Sequence, residues 1–111
     1  MAVAFKNVKS RNIGAALTAI GSYTVGASKT ATIVALTVAN TTASSTITIA
    51  VTIYDSSNDY YICKNLILLP GETLPVSGVD RHVLNTGESV RVISDTATSC
   101  DAILSVLEQS V

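Results

Sequence analysis

The chain has 111 residues, of which 48% are hydrophobic and only 14% charged, and its formal net charge is −1. That length fits one domain with a single core. A charged share so far below the roughly 25% of an average soluble domain belongs to a chain that buries surface against other molecules, often copies of itself. Its scattered cations lack the clustered basic face of a nucleic-acid-binding protein. No run approaches the roughly 20 apolar residues of a membrane-spanning helix.

The first 21 residues, MAVAFKNVKSRNIGAALTAIG, combine Lys6, Lys9 and Arg11 with Phe5, Val8, Ile13 and Leu17 and contain no acid. The basic part is too drawn out, and the run IGAALTAI too short and rich in Ala and Gly, for a signal peptide. Residues 12–21 allow at most one short turn of helix, so 1–21 reads as an arm and 22–111 as the folded domain. SYTV (22–25) is a first short strand. KTATIVALTVAN (29–40) is a longer one, with Val34, Leu36 and Val38 on one side and Ile33, Ala35 and Thr37 on the other. NTTASS turns the chain, and TITIAVTIY (46–54) returns with Ile47, Ile49, Val51 and Ile53 facing one way. Branched Cβ atoms suit the pleated sheet and disfavour the helix.

DSSND (55–59) is a loop of residues that bond their own backbone. YYICKNLILL (60–69) is a further strand, GVD (78–80) a break, and RHVL (81–84) a short strand. LPGETL and NTGESV share a Gly-Glu-hydroxyl-aliphatic pattern in which Gly71 and Gly87 supply positive φ and the acid keeps the turn wet. SVRVIS (89–94) and AILSVLE (102–108) close the chain. The expected fold is all-β, an antiparallel β-sandwich (jelly-roll or Ig-like) of seven to eight strands with an N-terminal arm. Its core is drawn from Val34, Leu36, Val38, Ile47, Ile49, Val51, Ile53, Val90, Val92, Leu104 and Val106.

No catalytic constellation is present. His82 is the only histidine, and with two dispersed cysteines it makes no zinc site. Asp55 and Asp59 flank one loop but lack the alternating oxygen donors of a calcium loop. No phosphate-cradling glycine motif occurs. The expected enzyme activity, cofactor and metal are therefore none. Cys63 and Cys100 read as free thiols, a bridge between them requiring neighbouring strands. Tyr54, Tyr60 and Tyr61 surround one loop and offer either a sugar-stacking platform or ordinary edge packing.

From about Thr30 to Glu108 the sequence resembles small virion proteins of tailed bacteriophages. The resemblance is carried by VALTVANTTASSTITIAVTIYDSSNDYYICKNLILLPGETL and RHVLNTGESVRVISDTATSCDAILSVLE, with FKNVKSRNIGAALTAIGSYTV similar to the lead-in of those proteins. The resemblance implies a structural part of the particle, made in the host cytoplasm: a capsid decoration or cement subunit, or a neck or tail accessory protein. Its partners would be other virion proteins, the major capsid protein or a neck or tail protein, with homo-oligomers expected. Nucleic acid, membrane and glycan are not expected as partners, although a carbohydrate-binding module using the tyrosines is the competing class. Residues 1–54 carry +4 and residues 55–111 carry −5, which reads either as chance in a weakly charged chain or as complementarity between copies: an arm bearing Phe5, Lys6, Val8, Lys9, Arg11, Ile13 and Leu17 docks on an acidic neighbour, or folds back as an edge strand on its own sandwich.

Overall fold

The computed structural model describes residues 3–76 and 82–110. Within them the chain forms nine strands: β1 (Val3–Ile13), β2 (Thr18–Ala19), β3 (Lys29–Asn40), β4 (Ile47–Tyr54), β5 (Asp59–Leu68), β6 (Thr73–Pro75), β7 (Val83–Leu84), β8 (Ser89–Ser94) and β9 (Cys100–Ser110). One sheet has the order β1-β9-β3-β6, with β7 also paired to β3, and the other the order β2-β8-β4-β5. All pairings are antiparallel.

The topology is that of one long hairpin rolled up. Bent at residues 55–58, the chain pairs β4 with β5, β3 with β6 and β7, β2 with β8, and β1 with β9. Rolling this ladder brings β9 beside β3 and β8 beside β4. With β6 and β7 sharing one strand position, the result is the eight-position double sheet of a jelly roll.

Between the sheets lies an almost purely aliphatic core. Ile33, Leu36, Ile47, Ile49, Val51, Leu68, Leu84, Val92, Leu104 and Val106 are each at most 2% exposed. Burying one such side chain contributes roughly 1.5–3 kcal/mol. Ile53 is half-buried against this core. Val34 departs from the expected core: it is 47% exposed. A bulge between Ile33 and Ala35 adds one residue to β3 and reverses its alternation, so Ala31 and Ile33 point inward before it and Leu36 and Val38 after it.

The N-terminal segment also departs from expectation. Residues 3–13 do not leave the sandwich; they pair along β9 as the edge of the five-stranded sheet, so that the folded unit takes in residues 3–21. Their role is to cover the backbone edge of β9, which would otherwise be unpaired. Of the short turn of helix over 12–21 only a 3-10 turn at Ile20–Ser22 forms, preceded by β2. Residues 22–25 are not a strand, although Tyr23 and Val25 are buried. The break at 78–80 and Arg81 lie outside the described residues.

Both Gly-Glu turns adopt one geometry. Gly71 and Gly87 have φ of 75° and 85°. Glu72 N donates to Leu69 O and Glu88 N to Asn85 O, both at 3.0 Å. Each glutamate does more than keep its turn wet. Its carboxylate accepts from the backbone N–H three residues earlier: Glu72 Oε1 from Leu69 N at 2.9 Å and Glu88 Oε1 from Asn85 N at 2.8 Å.

Candidate functional site

The chemistry-bearing side chains are spent on the fold. Each of the seven described acids accepts a hydrogen bond that closes a turn or ties strands. Glu72 and Glu88 do so as above. Asp55 takes the amides of Ser57 and Asn58, which hold its carboxyl below the usual carboxylate range. Asp59 receives Thr52 Oγ1 at 2.8 Å and pairs with Arg91 at 3.3 Å. Asp95 takes Thr48 N, Asp101 takes Asn12 N, and Glu108 takes the Tyr23 hydroxyl. Burial, and then that last bond, push the Tyr23 phenol well above its ordinary range. Among the described residues no group of three or more His, Cys, Asp or Glu side chains is placed to hold a metal.

Cys63 and Cys100 are both free. They lie on strands of different sheets, β5 and β9. Burial raises both thiols, Cys100 to about 11. His82 is exposed and contributes its backbone carbonyl to Ile33 N.

The outer faces of the two sheets differ. On the four-stranded sheet cations stand over two tyrosine rings, although Tyr61 and Ile67 stay 53% and 62% exposed. Arg91 lies 4.2 Å from the centroid of the Tyr54 ring, and Lys64 lies 4.8 Å from that of Tyr61. Asp59 bonds to both Arg91 and Thr52, leaving Thr52 at 0% exposure. Two of the three tyrosines thus have a cation over one face of the ring, while Tyr60 and Tyr61 remain more than half exposed.

The five-stranded sheet carries no such cover. The register places Phe5 opposite Leu107, Leu107 opposite Thr32, and Thr32 opposite Val83. This row crosses four strands on the outer face. Phe5 is 79% exposed and Val83 54%. Val34, turned out by the bulge, and Ile103 extend the patch at 47% and 44%. Beside Phe5 the next row, Asn7–Ser105–Ala35, has small side chains. There a shallow cleft of about 240 Å³ opens, lined by Phe5, Lys6, Asn7, Val34, Ser105 and Val106.

The seven residues expected to make subunit contacts separate accordingly. Phe5 and Lys9 lie on this outer face, and Arg11 is exposed beyond it. Lys6 turns the other way, its Nζ 5.2 Å from the Tyr23 ring centroid. Val8 and Ile13 pack in the chain's own core. Leu17 borders a separate cleft with Tyr54 and Arg91. Val34, Val83 and Ser105 were not anticipated on the face. The adjacent aliphatics Ile33-Val34 were the available signal, because strict alternation cannot bury both.

No protein-family model matches the chain, and no curated protein sequence does. Solved structures do. A protein of the Bacillus endospore appendages, described as a novel family of disulfide-linked pili, aligns with 98% of this chain and 88% of its own length, at a TM-score of 0.58 and 10% identity. A chain of infectious bursal disease virus, Gx strain, aligns with 96% of this chain at a TM-score of 0.55 and 13% identity. This chain spans about a third of that viral chain, 32%. At such identities the likeness is one of fold: the rolled double sheet is shared across nearly the whole length.

No described helix is long and apolar enough to cross a membrane.

Proposed function

We propose that the protein is a non-enzymatic structural subunit of a tailed-bacteriophage virion, a capsid decoration or cement protein that stabilises the particle through subunit contacts. The observation that carries this reading is the uncovered apolar face of the five-stranded sheet. The row Phe5–Leu107–Thr32–Val83, with Val34 and Ile103, is suited to a protein partner. Lys9 and Arg11 at its margin suit an acidic neighbouring surface. The engagement of every described acid in a turn or tie supports a structural rather than a catalytic role. The two solved structures described above come from assemblies, a pilus and a virus particle, and the sequence resemblance to small virion proteins points the same way.

The test is fractionation. In a density gradient of particles from a lysate of the host carrying this gene, the chain should band with the particles at a fixed ratio to the major capsid protein. After heads and tails are separated it should follow the heads. Recovery only from the particle-free fractions would overturn the virion reading. Recovery with tails alone would replace decoration by a neck or tail role.

A further inference from the structure

We propose that the outer face of the five-stranded sheet mates with the same face of a second copy, forming a two-fold dimer in which each Phe5 ring enters the other copy's cleft over Ser105. This rests on the reading of that face as a subunit contact and names its partner. A two-fold contact requires a patch complementary to itself. Here a protruding group and its receptor sit side by side: Phe5 stands out at 79% exposure, and the cleft begins in the next row along the strands. Residues two apart on a strand are separated by roughly 6.8 Å. An axis lying in the interface, across the strands and midway between the Phe5–Leu107 and Asn7–Ser105 rows, therefore sets each ring over the partner's Asn7 on β1, one strand spacing of roughly 4.8 Å from Ser105, so that a ring leaning toward β9 enters the cleft. It also leaves the two rings side by side, within the roughly 4.5–7 Å at which aromatic pairs attract.

Charge favours this arrangement. Lys9 stands two rows beyond Phe5, opposite Ile103, and Arg11 and Asp101 lie further along the same direction. The axis sends one copy's Lys9 to the Val3–Gln109 end of the other. The two Lys9 residues are then roughly 20 Å apart by strand rise, beyond a screening length of about 8–10 Å. A same-direction stack about an axis along the strands would set them only about 14 Å apart, three strand spacings.

The area suffices for a weak, specific dimer. Four strand positions at about 4.8 Å and seven residues at about 3.4 Å give roughly 450 Å² of flat footprint per copy. Both copies bury roughly 900 Å² before side-chain relief is added, close to the roughly 1,000–1,200 Å² at which specific interfaces begin. Dissociation in the micromolar range is expected. The opposite sheet also exposes apolar surface, Tyr61 at 53% and Ile67 at 62%, but cations already stand over two of its rings.

Sedimentation velocity from 1 to 200 µM tests the proposal on the full chain, on Phe5→Asp, on Ser105→Arg and on Ile67→Asp, an exposed site on the other sheet. The wild type and Ile67→Asp should shift from monomer to dimer over this range. Phe5→Asp and Ser105→Arg should remain monomeric at every concentration, with circular dichroism unchanged. Ser105→Arg decides the matter if Phe5→Asp does not fold. A wild type that stays monomeric overturns the proposal, and so does a dimer that survives both face variants. A larger assembly insensitive to both variants also overturns this dimer, yet leaves the structural reading standing. Absence from particles would remove the virion reading whatever the dimer does.

Discussion

Asn40 is 2% exposed at the end of β3, and its side chain makes four hydrogen bonds. Nδ2 donates to Ser45 O at 2.8 Å and to Leu68 O at 3.1 Å. Oδ1 accepts from Thr42 N at 2.9 Å and from Thr42 Oγ1 at 2.7 Å. One amide thereby ties the turn after β3 to the end of β5. Asn40→Ala removes all four. Ser45 O keeps a bond from Thr42 Oγ1, and Thr42 N, only partly buried, can turn to water. The bond to Leu68 O is buried, and a buried acceptor stripped of its donor costs about 1–3 kcal/mol. Adding the half-exposed losses gives a destabilisation of about 2–4 kcal/mol, on the order of 10 °C or more in Tm for a domain of this size. Asn40→Asp should be worse at neutral pH, since it aims a carboxylate at two carbonyls in a dry site. The folded-state pKa of that new acid would be raised. Its penalty should therefore grow as pH rises above the unfolded carboxyl range and shrink in acid. Urea titration of wild type, Asn40→Ala and Asn40→Asp at pH 4 and pH 7 measures both effects. A loss below about 0.5 kcal/mol for Asn40→Ala, or an Asn40→Asp penalty indifferent to pH, would refute the argument, the first figure being the low end of a single net hydrogen bond.

Ile49→Ala should cost about 2–4 kcal/mol by lost burial and a residual cavity, because Ile49 is 1% exposed between the sheets; denaturant titration measures it. Gly71→Val and Gly87→Val should each lose about 1–2 kcal/mol from positive φ alone, since an added Cβ meets nothing closer than 3.8 Å at either site. Equal shifts in melting temperature would bear this out, and no shift in either would remove the strain argument. The Cys100 thiol, raised to about 11 by burial, should resist a thiol reagent in the native state at pH 8, whereas half-buried Cys63 should react faster. Because Cys100 stays protonated in the fold, its contribution is present below the thiol's ordinary pKa of about 9 and is lost as pH rises towards 11.

Alternation made much of the fold legible. β8 and β9 bury the residues their period of two selects, and β4 does so at Ile47, Ile49 and Val51, because both neighbours of each strand leave only one face free for the core. Within β3 the same rule failed at one residue. Val34 would be inward without the bulge, and that bulge is a matter of pairing with β9, a partner at least seventy residues away in the chain. The N-terminal strand is hidden in the sequence for a related reason. Of its eleven residues only Val8 and Ile13 are buried, so its pattern is that of a polar segment, and its order comes from ladder bonds to β9 that local composition does not encode. Thr52 is the converse case. It looks solvent-facing in sequence but is covered by Asp59, Arg91 and their neighbours, which only the sheet brings together. The candidate face was half legible: Ile103 must point outward once Leu104 and Val106 point inward, whereas its union with Phe5, Val34 and Val83 depends on the strand order 1-9-3-7.

The most direct test of the structural role is electron cryomicroscopy of the particles at side-chain resolution. The account predicts this rolled double sheet at symmetry-repeated positions on the head, with Phe5 and Val34 buried in a protein contact. Particles whose density contains no such sandwich, or sandwiches whose five-stranded sheet faces open solvent, would contradict it.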